Sequence, residues 1–158
     1  MSEILLSISI PTFNRSEHLR SLLTTIHSSL SGREIGKNIE VVVSDNCSLD
    51  NTPQVIEEIS SLKKSYKFTS SRNSKNIGGD KNRMKVLLDS SGEFAWLLGD
   101  DDEIFDDSIG YLYELLKSDI KTGFAFINYY LGKEGEKTAI TSSDDCEITT
   151  DLVSFTVI

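Results

Sequence analysis

Apolar and polar positions alternate along the first 131 residues in blocks whose period switches between strand and helix. Residues 4–10, Ile-Leu-Leu-Ser-Ile-Ser-Ile, predict a strand closed by Pro11. Asn14 or Ser16 can cap a helix whose apolar positions, Leu19, Leu22, Leu23, Ile26 and Leu30, share one face. Gly32 follows where a helix end favours a left-handed residue. Residues 39–44, Ile-Glu-Val-Val-Val-Ser, predict a second strand that runs into Asp45. Thr52 and Pro53 are a cap and first-turn pair for a helix through Leu62. Tyr66 to Thr69 predicts a short third strand, and a polar loop from Ser70 ends in Gly78-Gly79. Asp80 then caps a helix carrying Met84, Val86, Leu87 and Leu88, stopped by Gly92. Phe94 to Leu98 is the fourth strand. Asp106 or Asp107 caps a helix with Ile109, Leu112, Leu115 and Leu116, and residues 124–130 form a further apolar strand.

Strands that alternate with helical crossovers predict an α/β fold with a mostly parallel sheet covered by helices. After Leu131 the signal fades. Residues 132–151 are polar and acidic, with one strand near Thr138 to Thr141, and the chain closes on Leu-Val-Ser-Phe-Thr-Val-Ile with no stop signal. An apolar run at the very end reads as a chain that has been cut.

Composition narrows the function classes. A chain of 158 residues with 38% hydrophobic and 26% charged residues suits one soluble domain. The net charge of −9 argues against a surface built to grip nucleic acid or an anionic membrane. An anionic substrate would need a bridging metal or a local basic patch. Cys47 and Cys146 match no zinc spacing and read as free thiols of a cytosolic protein. The apolar start breaks too soon for a signal peptide, and no stretch approaches the length of a transmembrane helix. Cytoplasmic residence, with membrane attachment at most peripheral, is the expectation.

The chemistry gathers at the predicted strand ends, where open α/β sheets bind their ligands. Residues 94–107 run from Phe-Ala-Trp-Leu-Leu through Gly99 into Asp100, Asp101 and Asp102. Adjacent carboxylates repel, and burying one unpaired is costly. Such a cluster suits water or a hard cation, and Mg²⁺ or Mn²⁺ commonly bridges carboxylates to substrate phosphates. A solvated acidic turn that caps the next helix is the plainer alternative. Two other loops, Pro11-Thr12-Phe13-Asn14-Arg15 and Ser44 to Thr52, belong on the same edge. The stretch Ser71 to Gly79 adds cations and paired glycines before a helix start, a place suited to an anion. Neither a P-loop nor a Gly-x-Gly-x-x-Gly fingerprint is present. His18 and His27 fall on the first helix and read as surface residues.

Ser-Ile-Ser-Ile-Pro-Thr-Phe-Asn-Arg at 7–15, Val-Val-Val-Ser-Asp-Asn-Cys-Ser-Leu-Asp-Asn-Thr at 41–52, Asn-Ile-Gly-Gly at 76–79 and the aspartates at 100–102 occur in order. Together they resemble the successive motifs of inverting family 2 glycosyltransferases, over about residues 4–131. The resemblance implies the three-layer α/β/α GT-A fold, with residues 1–131 as a nucleotide-sugar-binding core and 132–158 as the start of an acceptor-binding region. It implies a nucleotide-diphosphate sugar donor, a glycan or lipid-linked acceptor, Mg²⁺ or Mn²⁺, and bacterial glycan or surface polysaccharide assembly as the setting. By position, Pro11, Thr12, Asn14 and Arg15 would line the nucleoside and pyrophosphate pocket, and Asp45 would contact the base. Asn76 and Gly78 would lie beside the donor, with Asp80 and Arg83 in reach. Asp100 to Asp102 match the Asp-x-Asp motif, with Asp100 and Asp101 toward the donor and Asp101 and Asp102 at the metal.

The chain departs from the common family pattern at Gly99, which stands where Leu-Asp-x-Asp-Asp has its first aspartate. The general base, a carboxylate of the acceptor half, finds no matching motif around Glu134, Glu136, Asp144, Asp145 or Glu147. Two other readings fit the residues: a donor-binding fragment or degenerate domain without transfer activity, and an Mg²⁺-dependent phosphoryl-transfer enzyme.

Overall fold

The computed structural model describes residues 4–105 and 107–118, together with 130–131 and 138–139. Four strands, β1 (Leu6–Thr12), β2 (Ile39–Asp45), β3 (Lys67–Arg72) and β4 (Phe94–Leu97), form one parallel sheet in the order β3-β2-β1-β4. The helices are α1 (Ser16–Leu30), α2 (Thr52–Ser61), α3 (Gly79–Leu88) and α4 (Ser108–Ser118), with a 3-10 turn at Glu34–Asn38. The strand order dictates the layers. Steps from β1 to β2 to β3 run one way, so right-handed crossovers put α1 and α2 on one face. The return from β3 to β4 passes over two strands and carries α3 across β1 and β2 on the other face. The result is the predicted three-layer α/β/α architecture. Of the two later strand predictions, residues 124–129 lie outside the described residues. Tyr130–Leu131 (β5) and Thr138–Ala139 (β6) pair antiparallel.

The two faces of the sheet differ in chemistry, as the alternation Leu-Ser-Ile-Ser-Ile requires. Leu6, Ile8, Ile10, Ile39, Val41, Val43 and Trp96 join Leu19, Leu23, Ile26, Val55, Ile109 and Leu116 in one apolar core with α1, α2 and α4. Beneath α3 the strands present Ser7, Ser9, Glu40 and Ser44, all buried. That face is held by hydrogen bonds. Ser9 Oγ lies 2.8 Å from Ser90 Oγ, Ser44 Oγ donates to Asn82 Oδ1 at 2.8 Å, and Asn82 Nδ2 donates to the Ser44 carbonyl at 2.8 Å.

Of the apolar residues that the predicted helix carries, only Val86 is buried in α3. Met84 is 58% and Leu88 80% exposed, while Val86 is buried one turn after Asn82. A helix lying on polar strand positions needs a hydrogen-bonding side chain in its buried stripe, and Asn82 supplies it. The helix also starts earlier than expected, with Gly78 at φ 89° in the capping position and Asp80 in the first turn.

Other ends shift for similar reasons. Pro11 lies inside β1 rather than closing it, paired in register with Ser44. Its nitrogen falls on the β4 side, beyond the Ser9–Leu98 bond that ends that ladder, so no hydrogen bond is lost. Neither Asn14 nor Ser16 caps α1. Asp50 does so from the next loop, accepting the Ser16 N–H at 2.9 Å through one oxygen. Its other oxygen accepts the Thr52 N–H at 3.0 Å and the Thr52 hydroxyl at 2.6 Å, so one carboxylate closes the starts of both α1 and α2. Burial opposes its ionisation, but these donors hold the Asp50 carboxyl below its usual range. Asn51, not Thr52, is the capping position of α2. Gly32 is left-handed past α1, as expected. The third strand runs to Arg72 because an edge strand tolerates Ser70 and Arg72 facing water, while the half-buried Ser71 donates to Asp89 at 3.1 Å. Asp106 lies outside the described residues. Asp107 has φ 64°, its carbonyl accepts the Tyr111 N–H at 2.9 Å, and its carboxylate pairs with Arg33 at 2.6 Å.

Glu40 fastens the amino-terminal edge of the sheet. It accepts the Ser7 hydroxyl at 2.6 Å, the Ser91 hydroxyl at 2.8 Å and the Ser91 N–H, and pairs with Lys67 at 2.7 Å. Burial alone would push the carboxyl up, but Lys67, Ser7 and Ser91 hold it below its ordinary 4.5. A carboxyl lowered in the fold stabilises above its unfolded value, and that contribution fades as pH falls through the folded one. Glu40→Gln is expected to cost about 2 kcal/mol at pH 7. Urea unfolding should show its gap to the parent narrowing below 4.5, whereas a gap independent of pH would count against the ionised carboxylate.

Candidate functional site

The strands reach the carboxyl edge on one row: Thr12 is in register with Asp45, and Asp45 with Arg72. Each strand then leaves into a polar loop, and the loops brace one another. Asn14 takes φ 53°, its N–H donates to Ser48 Oγ at 2.9 Å, and its Oδ1 accepts the Leu49 N–H at 2.7 Å. Asp45, 1% exposed, accepts the Ser48 N–H at 2.9 Å through Oδ1. Its Oδ2 has no hydrogen bond and faces Arg72 Nη1 at 3.3 Å. Asn46 is the hub between the second and third loops. Its Nδ2 donates to Asn76 Oδ1 at 2.9 Å, while its Oδ1 accepts from Asn73 Nδ2 at 3.0 Å and from the Ile77 N–H at 2.9 Å. Asn76 Oδ1 also accepts the Gly78 N–H at 2.8 Å, which sets the left-handed turn into α3.

After β4 the chain crosses toward β1. Leu98 N–H still donates to the Ser9 carbonyl at 3.0 Å, and a tight turn follows, with the Asp102 N–H on the Gly99 carbonyl at 3.1 Å. Asp100, 6% exposed, turns inward and accepts the Thr12 hydroxyl at 2.7 Å and Arg15 Nη1 at 3.1 Å. The same Arg15 nitrogen lies 2.6 Å from Asp101. Burial pushes the Asp100 carboxyl above its usual range, and the neighbouring charge of Asp101 adds to this, against the pull of Thr12 and Arg15. Both carboxylates in turn raise the Arg15 guanidinium, which stays cationic.

These groups line an open cleft of about 320 Å³. Of the predicted site residues, Pro11, Thr12, Arg15, Arg83, Asp100, Asp101 and Asp102 face it. Asn14, Asp45, Asn76 and Gly78 do not line it and serve in the braces just described, and Asp80 is exposed and paired with Arg83 at 2.9 Å. Sequence reasoning gave no site role to Phe13, Asn46 and Asn82, which also line the cleft, together with Gly79 of the paired glycines and Gly99 of the acidic motif. The signal for Phe13 and Asn46 was their place inside the quoted strand-end motifs. Asn82 had only its position one turn before Val86, which means nothing until the polar sheet face is known.

His18 is exposed, as the sequence reading has it. With Ser21 and Thr25 it lines a smaller cavity, about 170 Å³, on the other side of the acidic turn. His27 is half-buried, with Nδ1 3.3 Å from the Tyr66 hydroxyl. Cys47 is a free thiol, whereas Cys146 and the carboxylates at 134–147 lie outside the described residues.

Among the described residues no three His, Cys, Asp or Glu side chains form a ready-made metal site. The donor set still suits a hard cation that shares its coordination with phosphate oxygens. Gly99 lacks a Cβ, and the space a Cβ would take is approached by Asp102 Oδ2 at 2.8 Å and Asp101 Oδ1 at 3.1 Å. The two carboxylates therefore converge over the glycine, at the mouth of the cleft. Aspartate at position 99 would crowd that space, which gives the departure from the family pattern a physical reading.

The fold is that of the GT-A glycosyltransferases. The Staphylococcus aureus poly(ribitol-phosphate) beta-N-acetylglucosaminyltransferase TarS, residues 1–349 in complex with UDP, matches 73% of this chain and 32% of its own at TM-score 0.62 and 26% identity. A Pyrobaculum calidifontis mannosyltransferase in complex with GDP-Man and Mn²⁺ shares the fold at TM-score 0.65 and 18% identity, over 82% of this chain and 37% of its own. The chain belongs to glycosyl transferase family 2, whose sequence profile matches residues 7–150. It is 34% identical over 117 residues to the abequosyltransferase RfbV of Salmonella typhimurium, covering 73% of this chain and 33% of the relative. It is 31% identical over 130 residues to the GalNAc(5)-diNAcBac-PP-undecaprenol beta-1,3-glucosyltransferase of Campylobacter jejuni, covering 82% and 40%. The chain thus spans a third to two fifths of the length of these relatives. No helix among the described residues is long and apolar enough to cross a membrane.

The Asn46 hub yields a direct test. Asn46→Ala removes three side-chain hydrogen bonds and leaves buried Asn73 short of a partner. The expected loss is about 2–3 kcal/mol in urea unfolding, with faster amide exchange at Ile77 and Gly78.

Proposed function

We propose that this chain is the donor-binding part of a glycosyltransferase that uses a nucleotide-diphosphate sugar and transfers with inversion. The observation that carries the reading is the cleft itself. In a family 2 chain, Arg15, Arg83 and the convergent carboxylates of Asp101 and Asp102 line one opening at the carboxyl edge of a parallel sheet.

Each group has a role suited to its position. The Arg15 and Arg83 guanidiniums, both about half exposed, can meet the negative charge of a diphosphate. Asp101 and Asp102 would hold Mg²⁺ or Mn²⁺, which when bound supplies positive charge against the leaving diphosphate. Asp100 positions rather than ligates, since its oxygens are taken by Thr12 and Arg15. Pro11, Thr12 and Phe13 form the wall beside the donor, and the exposed Phe13 ring offers a face for a planar base. Asp45, proposed from the family resemblance for the base end of the site, is buried there with Oδ2 on Arg72 Nη1 at 3.3 Å, and it acts by holding the second loop through the Ser48 N–H. Asn76 and Gly78 shape the loop beside the donor, and Asp80 orients Arg83. Asn14 acts through the loop it braces.

Transfer would displace the nucleoside diphosphate from the anomeric carbon as an acceptor hydroxyl attacks the opposite side. No general base is assigned. A bacterial glycan or lipid-linked acceptor follows the activities for which the relatives are named, and the cytoplasm or the membrane face is the proposed setting. Donor binding without transfer is the second reading, favoured by the fraction of those relatives that the chain spans.

Calorimetry with UDP and GDP is expected to show binding that requires Mg²⁺ or Mn²⁺. The double substitution Asp101→Ala/Asp102→Ala should weaken it at least about tenfold while the melting temperature holds. No nucleotide binding with either metal would contradict the proposal, and release of inorganic phosphate from the donor would favour phosphoryl transfer.

A further inference from the structure

One nitrogen in the cleft serves two carboxylates. Arg15 Nη1 lies 3.1 Å from Asp100 and 2.6 Å from Asp101. Asp100 is buried and also accepts the Thr12 hydroxyl, so it keeps a hydrogen-bond partner when Arg15 moves. Asp101 is half exposed, and Asp102 holds the Gly99 N–H through Oδ2 at 2.8 Å. A divalent cation entering at Asp101 and Asp102 would share Asp101 with a guanidinium already in contact. Two cations a few ångströms apart on one carboxylate repel strongly, even when partly solvated.

The side chain is free to leave. Arg15 stands at the start of α1 with 47% of its side chain exposed, and it makes no capping hydrogen bond to the helix. That helix start is closed by Asp50 instead, so movement of Arg15 leaves α1 intact. A guanidinium released into the cleft is well suited to a diphosphate, whose oxygens match its fork of donors.

We propose that Arg15 is the resident counter-ion of the aspartate cluster, that a divalent cation must displace it from Asp101, and that the donor diphosphate receives the released guanidinium. The inference rests on the donor-site reading above. Metal alone then binds weakly, because it loses the Arg15–Asp101 contact without return. Metal with diphosphate binds well, because the guanidinium gains a new anion. The two affinities are coupled, and each must strengthen the other by the same factor.

The test is Mn²⁺ binding to the whole chain, followed by the paramagnetic resonance signal of free Mn²⁺ at pH 8, with and without UDP. Arg15→Ala is expected to bind Mn²⁺ alone at least about tenfold more tightly than the parent. Arg15→Lys, which keeps the positive charge on a shorter side chain, should fall between. UDP should tighten Mn²⁺ binding by a clearly larger factor in the parent than in Arg15→Ala. Should the alanine variant fail to fold, tighter Mn²⁺ binding by Arg15→Lys than by the parent supports the displacement. Equal or weaker binding by the folded variants overturns it. If the parent nevertheless binds UDP with Mn²⁺, the donor-site reading stands without this role for Arg15. A parent that binds neither Mn²⁺ nor UDP removes both.

Discussion

The parallel register that ends three strands on a single row is the constraint from which the binding edge follows. Thr12, Asp45 and Arg72 stand side by side because β1, β2 and β3 are paired residue for residue to their last position. A one-residue slip in any ladder would reverse which face each side chain meets, putting serines into the apolar core. With the row fixed, Thr12 can hold Asp100 at 2.7 Å, Asp45 can hold the second loop, and Asn46 can reach the loop after β3. The polar groups of the edge are therefore positioned by backbone pairing deep in the sheet.

The sheet's chemical asymmetry explains why the site lies where it does. One face is sealed by α1, α2 and α4 over a continuous apolar core. The other is covered by α3 through serines, Asn82 and the Glu40 cluster. A polar contact costs little when its partners are satisfied, and much when one is removed. α3 is thus held in one orientation by directional bonds rather than by volume. That orientation brings Gly79, Asn82 and Arg83 to the cleft opposite the acidic turn.

Much of this was legible in the chain. The helices at 16–30 and 108–118 announce themselves because a single buried face repeats its apolar residues at helical spacing, and the strands at 6–12 and 39–45 because strands buried on both faces read as short apolar runs. The same logic does not orient α3, since Met84 and Leu88 count as apolar wherever they point and only the partner surface decides. Caps supplied from afar were also illegible. Asp50 closes α1 from a different loop, and no local pattern around Asn14 or Ser16 reports that. At the site, Arg15 and the three aspartates could be named from sequence, but their pairing could not. The division of labour, Asp100 inward on Thr12 and Asp101 and Asp102 converging over Gly99, comes from the turn geometry.

The family assignment and the cleft meet in one claim: this chain holds a nucleoside diphosphate between the β1 loop, the acidic turn and the start of α3. Amide chemical-shift mapping with UDP and Mg²⁺ tests that claim most directly. The account predicts shifts concentrated at Thr12 to Arg15, Gly79 to Arg83 and Gly99 to Asp102, with the Glu40 edge unmoved. Shifts confined to other surfaces, or a spectrum unchanged at saturating ligand, would contradict it.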